Sequence, residues 1–185
     1  MDIVKTVRKH VLEKYSQRKD YQGMITYNVH VNYVVKYAIE LAKKLNADEE
    51  IVEIAALFHD IGRIDGTDEN HHEVGAEYAE EFLKSNGYDN RKIGIVKNCI
   101  LAHRGSVKIE RKTVEAECIA SADAMAHFGD IPSMFYWVYV FLDKDIEEGK
   151  TMILDKYKRS FMKMIPEAQE IVREKYNAVM KILES

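Results

Sequence analysis

Apolar residues recur at steps of three and four along almost all of this 185-residue chain, and no segment sustains the two-residue alternation of a strand. A helix turns once in about 3.6 residues, so this spacing gathers apolar side chains on one face of each segment. Only two prolines interrupt the pattern. The expected fold is all-α: one compact multi-helix domain spanning residues 1–185, with 46% apolar residues to fill a single core. The clearest segment is 28–45, where Val31, Val34, Val35, Ala38, Ala42 and Leu45 form a stripe and Lys36, Glu40, Lys43 and Lys44 face away.

Capping signals divide the chain. Asp48 reads as an N-cap, with Glu49 and Glu50 favourable at the positive end of a helix that contains Ile51, Ile54, Ala55 and Phe58 and ends at Gly62. Asn70 followed by Glu73 predicts a capping box opening a helix over 71–86. Further helices are expected at 91–104, 111–128 and 132–145, punctuated by Gly87, Gly105, Gly129 and Pro132. The tail over 147–183 keeps a helical pattern, broken before Pro166.

Composition removes several classes of function. A net charge of -4 gives no basic footprint for general nucleic-acid binding. The longest apolar run, MFYWVYVFL at 134–142, is far short of the roughly 20 residues that span a bilayer, so no membrane association is expected. The charged opening MDIVKTVRKHVLEKYSQRKD lacks the apolar core of an export signal. Cys99 and Cys118 have no CxxC spacing and read as reduced core residues, which fits a cytoplasmic protein.

The chemistry-bearing residues are histidines and aspartates. His59 and Asp60 adjoin in AALFHDIGR, where an apolar helical run meets a glycine, and His30, His71, His72, His103 and Asp123 lie in or beside other helical segments. Mixed imidazole and carboxylate donors suit manganese, iron, cobalt, nickel or zinc. Facing helices of a bundle can bring such residues together whatever their distance in sequence.

In order and context these residues resemble the HD-domain (His-Asp) metal-dependent phosphohydrolases: His30 in HVNYVVKYAIELAKKL, His59-Asp60 in LFHDIGR, His71 in HHEVGAEYAEEFL, His103 in NCILAHRG and Asp123 in ASADAMAHF. The resemblance implies an HD-type bundle with its motif-bearing core at about 28–128 and a helical C-terminal extension at about 130–185, to which it assigns no role. It implies His30, His59, Asp60 and Asp123 as ligands of a first divalent ion, with His71 and His103 holding a second ion or contacting substrate phosphate. The implied reaction is hydrolysis of a phosphomonoester or phosphodiester of a small molecule, a nucleotide foremost, by a metal-activated water. The chain lacks the Gly-Tyr-Pro triplet of the cyclic-dinucleotide branch, and it shows no fused synthetase, nuclease or helicase region.

Around that set, Arg63 is expected either to grip phosphate alongside the catalytic Asp60 or to pair with the acidic loop after it. Arg104 is read the same way, with the negative end of its helix as a further partner. His72 is a reserve ligand or a solvated residue. His127, four residues after Asp123, is a substrate contact or a packed histidine. The aromatic cluster Phe135, Tyr136, Trp137, Tyr139 and Phe141 is read as core, with a base-stacking wall as the alternative. A non-catalytic metal- and nucleotide-binding sensor or interaction module is the second functional reading, and dimerisation through 134–142 is compatible with either.

Overall fold

The computed structural model describes residues 2–20 and 23–184, and among them every regular element is helical. α1 (Ile3–Ser16) opens on Asp2, whose carboxylate accepts from the Lys5 amide at 3.1 Å. A continuous helical run follows: α2 (Met24–Thr26), a π-helical stretch (Tyr27–Val31) and α3 (Asn32–Leu45). Asn46, at φ 54°, ends it in the left-handed conformation that asparagine tolerates. α4 (Glu49–Phe58) is capped by Asp48 as expected, the carboxylate accepting from the Glu50 and Ile51 amides at 3.0 and 3.2 Å. Then come α5 (Gly62–Asp65), α6 (His71–Ser85), α7 (Asn90–Ala102) and α8 (Val114–Ala126). The chain closes with α9 (Ile131–Phe135), a second π-helical stretch (Tyr136–Phe141), α10 (Ile146–Lys163) and α11 (Pro166–Leu183).

α8 is the axis of the bundle. Its Ala116, Cys118, Ile119, Ala120, Ser121, Ala122, Ala124, Met125 and Ala126 are buried on nearly every side, as befits a helix surrounded by others. α3, α4, α7, α10 and α11 all lie against it, and its small side chains let their backbones come close. α7 also packs on α4 and α6, and α1 on α4. One hydrophobic core runs from Val7 to Leu183, with Leu41, Ile54, Phe58, Ile100, Ile119, Phe128 and Tyr157 among its fully buried members. The helices after residue 130 therefore share this core. No helix among the described residues is long and apolar enough to cross a membrane.

Three local expectations need correction. The helix expected to reach Gly62 stops at Phe58, and Gly62 instead begins α5 without the positive φ of a capping glycine. Its constraint is space: a Cβ there would lie 2.1 Å from the His71 carbonyl oxygen and 2.7 Å from the Gly75 nitrogen. The Asn70 capping box does not form, because the Asn70 side-chain oxygen accepts from the Thr67 amide at 2.8 Å and hydroxyl at 3.1 Å. The expected helix at 132–145 is shorter and irregular, with Leu142 bonding back five residues to Trp137.

Candidate metal centre

His30 comes from the π-helical stretch, His59 and Asp60 from the end of α4, His71 from the start of α6, His103 from the end of α7 and Asp123 from α8. His59 and His103 are built alike. Each caps its helix, where carbonyls lack an onward partner, and donates Nδ1–H to the carbonyl three residues earlier, Ala56 at 2.7 Å and Ile100 at 2.6 Å. His71 does the same to Asp68 at 2.9 Å. A carbonyl can only accept, so each Nδ1 carries the proton. In each ring it is Nε2 that then points inward.

The inward nitrogens form two pairs. His30 and His59 approach at 3.2 Å between Nε2 atoms, and His71 and His103 at 3.4 Å. Asp60 lies between the pairs: its Oδ2 is 3.6 Å from His30 and 3.5 Å from His59, and its Oδ1 is 3.4 Å from His71 and 3.6 Å from His103. The Oδ1 atom is buried and lacks a hydrogen-bond partner among the described residues. Asp123 Oδ1 stands 3.4 Å from His30, while its Oδ2 takes an ion pair from Lys163 of α10.

Electrostatics keep these groups in ligand form. Burial lowers the His59 and His71 imidazoles to about 4 from an ordinary 6.5. Burial alone would raise the Asp60 carboxyl, but Arg63 and the adjacent histidines hold it well below the usual carboxylate range. At Asp123, Lys163 and His30 likewise overcome burial. The lone pairs of neutral His59 and His71 and the Asp60 Oδ1, which has no hydrogen-bond partner among the described residues, repel unless a cation sits among them. The residues present therefore fit a divalent ion. His30, His59 and Asp60 could hold one, and Asp60, His71 and His103 a second, with Asp60 common to both.

The centre opens into a cleft of about 960 Å³. Arg63 pairs with Asp68 of the acidic loop, one of its two expected settings, and also meets Asp60 at 2.9 Å. Arg104 lines the cleft and donates to the Glu69 carbonyl. His127 lines it too and stacks on His30, ring centres 5.5 Å apart. His72 is only 4% exposed, which corrects the solvated reading; it does not line the cleft, and its Nδ1 has no partner among the described residues. Of the aromatic cluster read as core, Tyr136 and Phe141 are exposed instead, because their short irregular helix lies at the surface, and Trp137 and Phe141 line the cleft; Lys156, Arg159 and Lys163, to which the sequence assigned no role, line it too. The basic residues 156, 159 and 163 share one face of α10, a spacing visible in the sequence but one that an ordinary solvated face also shows.

The HD domain family model matches residues 27–127. The chain belongs to the HD domain family. Over 98% of its length it superimposes on 91% of Bacillus subtilis YpgQ with a TM-score of 0.73 at 18% identity, a likeness of fold. A crystal structure described as a predicted HD superfamily hydrolase, from an uncultured Thermotogales bacterium, matches 81% of this chain and 84% of its own at TM-score 0.59 and 27% identity. Among curated proteins, the bifunctional uridylyltransferase/uridylyl-removing enzyme of Acinetobacter baumannii is 30% identical over 132 residues, 69% of this HD chain and 14% of that protein. A tRNA (cytidine(56)-2'-O)-methyltransferase of Thermoplasma volcanium is 41% identical over 71 residues, 38% of this chain and 20% of that one. The chain spans a fifth or less of these curated relatives.

Proposed function

We propose that this HD domain is a metal-dependent phosphohydrolase acting on a small phosphorylated substrate, foremost a nucleotide, in the cytoplasm. The observation that carries the reading is the Asp60 carboxylate, shared between two histidine pairs with Oδ1 buried and unpaired. His30, His59, Asp60 and Asp123 would hold a first ion. His71 and His103, with Asp60, would hold a second or meet the substrate phosphate. Divalent manganese, iron, cobalt, nickel or zinc bound there would polarise a phosphoryl oxygen and lower the pKa of water.

The chain's own groups do the rest. Arg63, fixed between Asp60 and Asp68, presents its guanidinium at the cleft beside His71, where it can neutralise charge on a phosphate oxygen. Neutral His59 and His71 accept no proton near neutral pH, so their lone pairs stay directed at the ion positions. Trp137 and Phe141 give the cleft flat apolar surface on which a base can stack. The relative named for removing uridylyl groups supports a nucleotide-type substrate.

The test is metal analysis of the purified protein together with a phosphate-release screen over nucleotides, with Asp60→Ala alongside. Asp60→Ala is expected to lose bound metal and to reduce turnover about a thousandfold. If it keeps both, the assignment of the centre is wrong. Metal-loaded protein that turns over no phosphate ester would favour the non-catalytic binding module instead.

A further inference from the structure

Six cationic side chains (Arg63, Arg104, Arg111, Lys156, Arg159 and Lys163) and three carboxylates (Asp60, Asp68 and Asp123) line the cleft, a surplus of three positive charges in a chain of net charge -4. A phosphomonoester brings at most about two negative charges near neutral pH. One such group leaves the lining with about one positive charge even before a divalent ion is counted.

Most of these cations are already committed. Arg63 serves Asp60 and Asp68, Lys163 serves Asp123, Arg111 pairs with Glu117 at 2.8 Å, and Arg104 is bound to the Glu69 carbonyl. Lys156 and Arg159 differ: among the described residues neither side chain makes a hydrogen bond or an ion pair, although both line the cleft. They are three residues apart on α10 and so lie side by side on its surface. Lys156 is half-buried, and burial disfavours its charge, an effect that nearby Asp123 opposes and Lys163 reinforces. An unpaired lysine in such a place gains most from an anionic ligand.

We propose that Lys156 and Arg159 form a second phosphate subsite, so that the preferred substrate carries two or more linked phosphoryl groups. This rests on reading the cleft as a phosphohydrolase site. One phosphoryl group lies at the histidine centre beside Arg63, and the next ones along the chain meet α10. Each further linked phosphoryl group adds about one negative charge, so one further group matches the charge that the lining retains. The subsite lies wholly outside residues 27–127, so it is a property of this chain's C-terminal helices rather than of the family motif.

The test pairs binding with kinetics on metal-loaded protein. Orthophosphate and tripolyphosphate, each equilibrated beforehand with the same divalent ion, are titrated into wild type, Lys156→Met, Arg159→Met and Arg159→Glu, with circular dichroism to confirm that helix content is kept. Nucleoside mono-, di- and triphosphates of one base are then compared by kcat/KM. Wild type is expected to bind tripolyphosphate at least about tenfold more tightly than orthophosphate, and each variant to lose about tenfold of that preference. Arg159→Glu should lose the most. Equal affinity for the two anions, or a preference that survives all three variants, overturns the subsite even if the protein hydrolyses phosphate esters. A preference that the variants abolish, in a protein that turns over no phosphate ester, supports the subsite and removes the hydrolase reading alone.

Discussion

The part of the cleft formed by the ends of α4, α6 and α7 and the part formed by α9, α10 and the π-helical stretch between them differ in how their side chains are held. In the first, His59, His71 and His103 are buried, and each has its outer nitrogen tied to a carbonyl three residues back. In the second, Phe141 is 47% and Met162 79% exposed, and Lys156 and Arg159 make no polar contact among the described residues. Ligands of an ion must be in place beforehand, because reorganising them would weaken binding. Groups that read a substrate can wait for it.

The sharpest break in this contrast would come from Gly62. Gly62→Ala forces a Cβ against the His71 carbonyl and the Gly75 nitrogen, both backbone, so α5 and α6 must part. A loss of about 3 kcal/mol is expected in denaturant unfolding, together with weakened metal retention. A variant as stable as wild type would show that the close approach of these helices is dispensable.

Acid probes the same wall. His59 and His71 titrate near 4 in the folded chain against 6.5 ordinarily, so below pH 6.5 the unfolded chain takes up protons that the fold refuses. Stability should be level above pH 6.5 and fall as pH drops from 6.5 towards 4, by on the order of 3 kcal/mol for each histidine at most. Unfolding midpoints of metal-free protein across that range check it, and a flat profile would contradict neutral buried imidazoles.

Lys163 links the two regions, since its ammonium holds Asp123 Oδ2 while Oδ1 faces His30. Lys163→Met should weaken metal binding by about 10- to 100-fold in calorimetric titration, with little change in helix content. Unaltered affinity would mean that Asp123 needs no such support. The smallest effect is expected at the open end: Phe141→Ala should raise KM less than about tenfold and leave metal content alone, and a loss of metal there would erase the distinction between the two regions.

The part of the molecule legible in the sequence follows the same division. Helix identity, the Asp48 cap and the meeting of His30, His59, Asp60, His71 and His103 could be read, because periodicity and motif order carry them. Gly62 was noticed for the wrong reason: sequence marks a glycine, but only packing tells a tight turn from a close approach. Asn70 could cap a helix or close its own loop with equal chemistry, and Thr67 decided the matter. The cations of α10 went unread because a basic helix face is ordinarily solvated. Nothing local to residues 156–163 announces that this face meets a cleft built some hundred residues earlier.

The π-helical stretch Tyr27–Val31 has its own consequence. Each residue of a regular helix advances about 100° around the axis, and the stretch lets one turn take an extra residue, Asn32 bonding back to Tyr27. It therefore acts as a phase shifter between α2 and the core-bound stripe of α3. Deleting a single residue inside it would restore regular winding while swinging His30 through roughly a quarter turn away from His59. The angular position of that imidazole is thus set by chain length over one turn, independently of which side chains fill the core.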